Sequence, residues 1–195
     1  MNLHSAVYDG DIPTVKSNID HFRGNNNIKS LALVLAVAMG RTEIVRTFLK
    51  TDVDIDMTEH FFNFQRKWET RAIKALQLNW QRRLLPFSHK WTPRLTPLCA
   101  AAFFGHADIV QLLVDGGADL DFDPYSDEEE YENRPTWNAL TCALLGGNEV
   151  IARYLMHMGA HASDLPEVAK PMAYLLLKQI LRLPLEMIDE ILSYI

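Results

Sequence analysis

The sequence predicts an all-α chain built as a solenoid of stacked helix-turn-helix units, and three observations carry that expectation. First, the segment from Leu95 to Phe122, LTPLCAAAFFGHADIVQLLVDGGADLDF, contains two apolar stretches separated by Gly105-His106 and closed by Gly117-Ala118-Asp119. Second, three further copies of this pattern align with it, through Gly10, Gly40 and Gly147. Self-similarity at a spacing of a few tens of residues indicates a repeat architecture. Third, 48% of the 195 residues are hydrophobic. That is enough burial to offset the entropy of folding. The longest apolar run, Leu31 to Met39, is nevertheless far short of the roughly 20 residues that cross a bilayer.

Each unit can be justified from its own residues. Thr96 and Pro97 suit a helix start, with Thr as cap and Pro at the first helical position. Ala6, Ala36, Ala101 and Ala143 fall four residues before the alignment glycines, where a small side chain lets neighbouring first helices approach. The second helix opens with Ile44/Val45, Ile109/Val110 or Ile151/Ala152. Phe48/Leu49, Leu113/Val114 and Leu155/Met156 follow one turn later on the same face. Gly117 and Gly159 end that helix because glycine adopts positive φ at little cost.

These features resemble the ankyrin repeat, in which a turn and two antiparallel helices recur about every 33 residues. The resemblance implies repeats at about 1–24, 28–56, 95–124 and 135–163, forming an array over 1–165. Departures from the family pattern are visible. The first copy lacks the Thr-Pro opening, the second has Leu31-Ala32 there and Asp52-Val53 at its end, and the fourth has Asn138-Ala139 in place of Thr-Pro. The resemblance also implies that the pair before each alignment glycine faces the concave side: Tyr8/Asp9, Ala38/Met39, Phe103/Phe104 and Leu145/Gly146. Aromatic anchors dominate interface energetics. Phe103 and Phe104 are therefore the first expected hot spot, with Tyr8, Met39 and Leu145 beside them.

The alignment glycines are 30, 65 and 42 residues apart. Two additions therefore fall between a second helix and the next first helix, at the finger edge of such a stack. The larger, 57–92, has helical spacing of Phe61, Phe64, Trp68, Ala72 and Ala75. It is basic, with eight Lys or Arg against two Glu between Met57 and Arg94. It reads either as a degenerate repeat stacked in the array or as an inserted helical hairpin that displays Trp68, Trp80 and Trp91. The smaller addition, 119–133, is acidic, and Tyr125 and Trp137 are aromatic candidates in and beyond it. Its alternating Asp119, Asp121 and Asp123 superficially match a calcium loop, but Pro124 occupies the sixth position, where an EF-hand needs Gly. The two extensions either neutralise one another or form a divided electrostatic surface that orients a partner.

After Gly159 the residues from 166 to 195 read as two helices separated by Pro184, the form of a closing cap. The end LPLEMIDEILSYI is similar to the opening helix of an F-box, through Leu183, Pro184, Glu186, Ile188, Ile191 and Leu192. That similarity implies docking on a ubiquitin-ligase adaptor subunit, as the alternative to an ordinary cap.

The chain carries no GxSxG, Walker loop, HExxH or strand-linked GxGxxG. Cys99 and Cys142 lie in apolar contexts, as core thiols do. The expectation is a non-enzymatic scaffold that binds one or more proteins and takes no cofactor or metal. The net charge of −6 argues against a nucleic-acid partner. The N-terminal residues MNLHSAVYDGDIP lack a basic n-region and an apolar h-region. With only two cysteines, a reducing, cytoplasmic setting is expected.

Overall fold

The computed structural model describes residues 3–19, 21, 26–60, 94–122 and 138–161. Within them the helices come in pairs. α1 (Leu3–Asp9) and α2 (Ile12–Ile19) form the first unit, and α3 (Asn26–Ala38) and α4 (Thr42–Phe48) the second. α5 (Pro97–Phe104) and α6 (Ala107–Asp115) form the third, and α7 (Ala139–Gly146) and α8 (Glu149–His157) the fourth. β1 (Glu59–His60) and β2 (Arg94–Leu95) make a two-residue antiparallel ladder, pairing Glu59 with Leu95 and His60 with Arg94.

The two helices of a pair differ in composition, and that difference sets the layering. The first helices α5 and α7 are apolar almost all round, and every residue from Pro97 to Phe103 and from Ala139 to Leu145 is buried. A helix hydrophobic on all sides must be enclosed, and α5 is accordingly held between α3 and α7. The second helices are amphipathic. α6 buries only Ile109, Val110 and Leu113, and α8 only Ile151, Ala152 and Leu155. They form the outer layer, α6 touching both α4 and α8. One continuous core runs through all four units, from Leu3 to Leu155. Phe48, Phe103, Leu98 and Leu140 are among its largest side chains.

The alignment glycines all have positive φ: 77° at Gly10, 66° at Gly40, 83° at Gly105 and 70° at Gly147. At each, the amide of the next residue returns to the carbonyl of the alanine four residues before the glycine. The distances are 2.9 Å for Asp11 to Ala6, 2.8 Å for Arg41 to Ala36, 3.0 Å for His106 to Ala101 and 2.9 Å for Asn148 to Ala143. This is the closing bond of a Schellman motif, which satisfies helix-end carbonyls that would otherwise be orphaned. Gly117 and Gly159, with φ of 87° and 97°, end α6 and α8 in the same way.

Helix starts divide the stack. The Thr96 hydroxyl accepts the Cys99 amide at 3.1 Å, and Asn138 Oδ1 accepts the Thr141 amide at 2.9 Å. Asn138, a departure from the family pattern, thus performs the same capping as Thr96. At the matching position of the second unit stands Leu31, which cannot cap. There α3 runs back to Asn26 and is 13 residues long, against 8 for α5 and α7. The extra turns bury Lys29, whose ammonium pairs with Asp52 just beyond α4.

Packing places the second and third units side by side. α3 lies directly against α5 and α4 against α6, and the His106 ring reaches across to donate from Nε2 to the Ala38 carbonyl at 3.3 Å. The second and third units are therefore neighbours among the described residues. β1 and β2 bring together the two ends of the chain that connects them. The helical reading of 57–92 and the cap at 166–195 lie outside the described residues, apart from the first few of that connection.

Candidate binding surface

Two sets of bonds between repeats define the long edges of the stack. At the turn between helices, the residue after each alignment glycine reaches the end of the preceding first helix. Arg41 Nη2 donates to the Tyr8 carbonyl at 3.0 Å, and His106 Nε2 donates to Ala38 as above. Asn148 Nδ2 donates to the carbonyls of Ala102 and Phe103, at 2.7 and 2.8 Å. Three different side chains thus satisfy the same orphaned carbonyls from one register position, and they hold the ends of α1, α3, α5 and α7 side by side.

At the opposite edge the fingers are joined by aspartates. Asp56 Oδ1 accepts the Asp119 amide at 3.0 Å, and one repeat later Asp121 Oδ1 accepts the His161 amide at 2.8 Å. The His161 ring also bonds Asp121 through Nδ1 at 2.6 Å. Asn138 Nδ2 donates to the His161 carbonyl at 2.7 Å, so this cap also ties one finger to the next. Burial raises the pKa of the Asp56 carboxyl. The Asp119 amide bond opposes that rise, and the nearby Asp119 and Asp54 carboxylates reinforce it. The alternating acids that superficially match a calcium loop are, at Asp119 and Asp121, finger ties. Among the described residues there is no group of three or more potential metal ligands.

The expected concave residues separate into two sets. Phe103 is fully buried and Leu145 is 8% exposed, so both belong to the core and not to a contact surface. The residue two before an alignment glycine points between neighbouring first helices wherever a repeat lies on both sides; Ala38, in that register, is buried as well. Tyr8, Met39 and Phe104 are half-buried and reach the surface at the ends of their helices. Phe104 packs edge-on against Phe103, with ring centroids 5.3 Å apart, and stacks on His106 at 6.4 Å. It is therefore held between a core ring and the inter-repeat bond.

Gly146 explains the fourth position. A Cβ there would lie 2.3 Å from the Phe103 carbonyl oxygen and 2.5 Å from Asn148 Nδ2. The absence of a side chain lets α7 close onto α5, and Asn148 can then reach its two carbonyls. Neither Asn148 nor Gly146 stands out in the sequence as an inter-repeat contact; its only trace is the polar type that follows each glycine. Trp68, Trp80, Tyr125, Trp137 and the segment carrying Leu183, Pro184, Glu186, Ile188, Ile191 and Leu192 lie outside the described residues.

Cys99 and Cys142 are buried, and their thiols meet across α5 and α7. The hydrogen bond with Cys99, together with burial, pushes the Cys142 thiol pKa well up, the reverse of what a nucleophile needs. His4, also buried, has its pKa lowered to about 4 by desolvation. Among the described residues no helix is long and apolar enough to cross a membrane.

A continuous core through paired helices and two bonded edges define a repeat solenoid, a scaffold class whose units contact their neighbours in series. The family described as ankyrin repeats (3 copies) matches residues 72–164. The mouse ankyrin repeat and SAM domain-containing protein 6 is 40% identical over 65 residues. That match covers 33% of this chain and 6% of the mouse protein, so the chain spans only a small part of that relative's length. The solved ankyrin repeat domain of Bcl-3, described as a unique member of the IkappaB protein family, aligns over 91% of this chain and 85% of that one. Its identity is 20% and its TM-score 0.39. Over residues 72–164 the chain is similar to ankyrin repeats. The family match begins at 72, within the connection between the second and third units. The direct packing of α3 on α5 nevertheless makes those units neighbours. Ankyrin repeats are in general modules of protein–protein interaction.

Proposed function

We propose that this chain recognises a partner protein along the ends of its first helices, with Phe104 as the central anchor and Met39 and Tyr8 beside it. The observation that carries this reading is the contrast between adjacent rings: Phe103 is fully buried, whereas Phe104 remains partly open at the surface. An aromatic ring held on two sides before binding loses little rotamer freedom when a partner covers it, which favours affinity.

The test is capture of the partner from cell lysate by the wild-type chain and by Phe104→Ala, with thermal unfolding measured in parallel. We expect the partner to be lost and the melting temperature to stay within a few degrees of wild type. Undiminished capture, or a melting temperature that falls as far as that of Phe103→Ala, would reassign Phe104 to the core.

A further inference from the structure

The outer layer carries a second surface, formed by the second helices α6 and α8. A shallow groove of about 200 Å³ runs between α6 and α8, with Val110 and Ile151 at its base and Asp108, Gln111, Val150 and Tyr154 along its sides. Val150 is 76% exposed, the most exposed large apolar side chain among the described residues.

Its register makes that exposure notable. Counted from the alignment glycines, Val150 occupies the position of Glu43 in the second repeat and Asp108 in the third, and Tyr154 that of Thr47 and Leu112. Met158, 44% exposed, matches Thr51 and Gly116. A face that is Glu-Thr-Thr on α4 and just beyond it thus becomes Val-Tyr-Met along α8, at the i, i+4, i+8 spacing of a single helical stripe. Solvent alone does not favour that change, since these side chains gain nothing by facing water.

The opposite wall is acidic. Asp108 and Asp115 lie seven residues apart on α6, roughly 10 Å along the axis and on one face. α6 itself contains no basic residue. Among the described residues neither aspartate is in an ion pair. The nearby cation on α8, Arg153, is already bonded to Glu149 at 2.7 Å. Asp115 lies close enough to Tyr154 to raise the pKa of its hydroxyl, after burial has done so. An apolar wall thus faces the Asp108 carboxylate, and the Asp115 carboxylate lies past the groove near Tyr154, neither of them ion-paired among the described residues.

We propose that the groove between α6 and α8 docks a basic amphipathic segment of a partner protein. Its aliphatic side chains seat against Val150 and Tyr154, and its Lys or Arg side chains meet Asp108 and Asp115. The charge pattern selects this occupant: an acidic segment would be repelled from one wall, and a purely polar one would leave the other wall wet.

The probes are a fluorescent synthetic helical peptide of leucine and lysine and the same peptide with every lysine replaced by glutamate, titrated against the full chain. The lysine peptide should bind at least about tenfold more tightly than the glutamate peptide. Val150→Glu and the pair Asp108→Lys with Asp115→Lys should each weaken it about tenfold, while Phe104→Ala stays within about twofold. Glutamate is tolerated in this register at Glu43, so Val150→Glu should leave the melting temperature unchanged and report on binding alone. Equal affinity for the two peptides, no binding of the lysine peptide at millimolar concentration, wild-type binding by Val150→Glu, or loss of binding in Phe104→Ala would each overturn the proposal.

Discussion

The second and fourth repeats solve the same structural problem with different residues. In the fourth, Asn138 caps α7, Gly146 lets α7 close onto α5, and Asn148 bonds two carbonyls of the previous repeat. In the second, Leu31 cannot cap, so α3 extends upstream and buries Lys29, which pairs with Asp52. Met39 stands where the fourth repeat has Gly146, and Arg41 makes one bond in place of the two from Asn148. The fourth repeat thus relies on backbone capping and close approach, and the second on helix length and a half-buried ion pair. A repeat array needs its interfaces satisfied, and which side chains do so can vary from one repeat to the next.

The largest expected effect comes from closing the approach in the fourth repeat. Gly146→Ala places a Cβ against a backbone carbonyl that cannot move without shifting α5, and should cost about 2–4 kcal/mol in denaturant unfolding. Met39→Ala, in the same register of the second repeat, should cost less than about 1 kcal/mol. Similar values for the two would mean that their interfaces do not differ.

Acid should act first on the N-terminal repeat. The His4 pKa is about 4 in the fold, against an ordinary 6.5. Between those values the unfolded chain binds a proton that the folded chain does not. Its contribution is therefore fully present above about pH 6.5 and is lost as pH falls towards 4, by at most about 3 kcal/mol. Chemical denaturation at stepped pH should show this slope in wild type and a flatter one in His4→Gln.

Asp52→Ala leaves the Lys29 ammonium buried without its partner and should destabilise the second repeat by about 2 kcal/mol. Restored stability in the double variant with Lys29→Met would show that the cost is the orphaned charge and not lost packing. Asn138→Ala removes the cap of α7 and should cost about 1 kcal/mol, and Asn138→Ser should recover most of it. Hydrogen exchange at the Thr141 amide is the direct readout, because that amide is the one the cap satisfies.

The helix ends were legible because their causes are local. Gly10, Gly40, Gly105 and Gly147 mark αL residues, and the alanines four residues earlier receive the closing bonds. Thr96-Pro97 reads as a helix start for the same reason. The separation of Phe103 from Phe104 was not legible, since two adjacent phenylalanines look alike until a neighbouring helix covers one of them.

By itself, then, the sequence determined the period, the helix boundaries and the all-α repeat architecture, through backbone preferences that act within a few residues. Tertiary structure decided which residues face outward, that the second and third repeats are neighbours despite 65 residues between their glycines, and that Arg41, His106 and Asn148 share one task. Those outcomes depend on what lies across an interface, and burial is a property of two surfaces together.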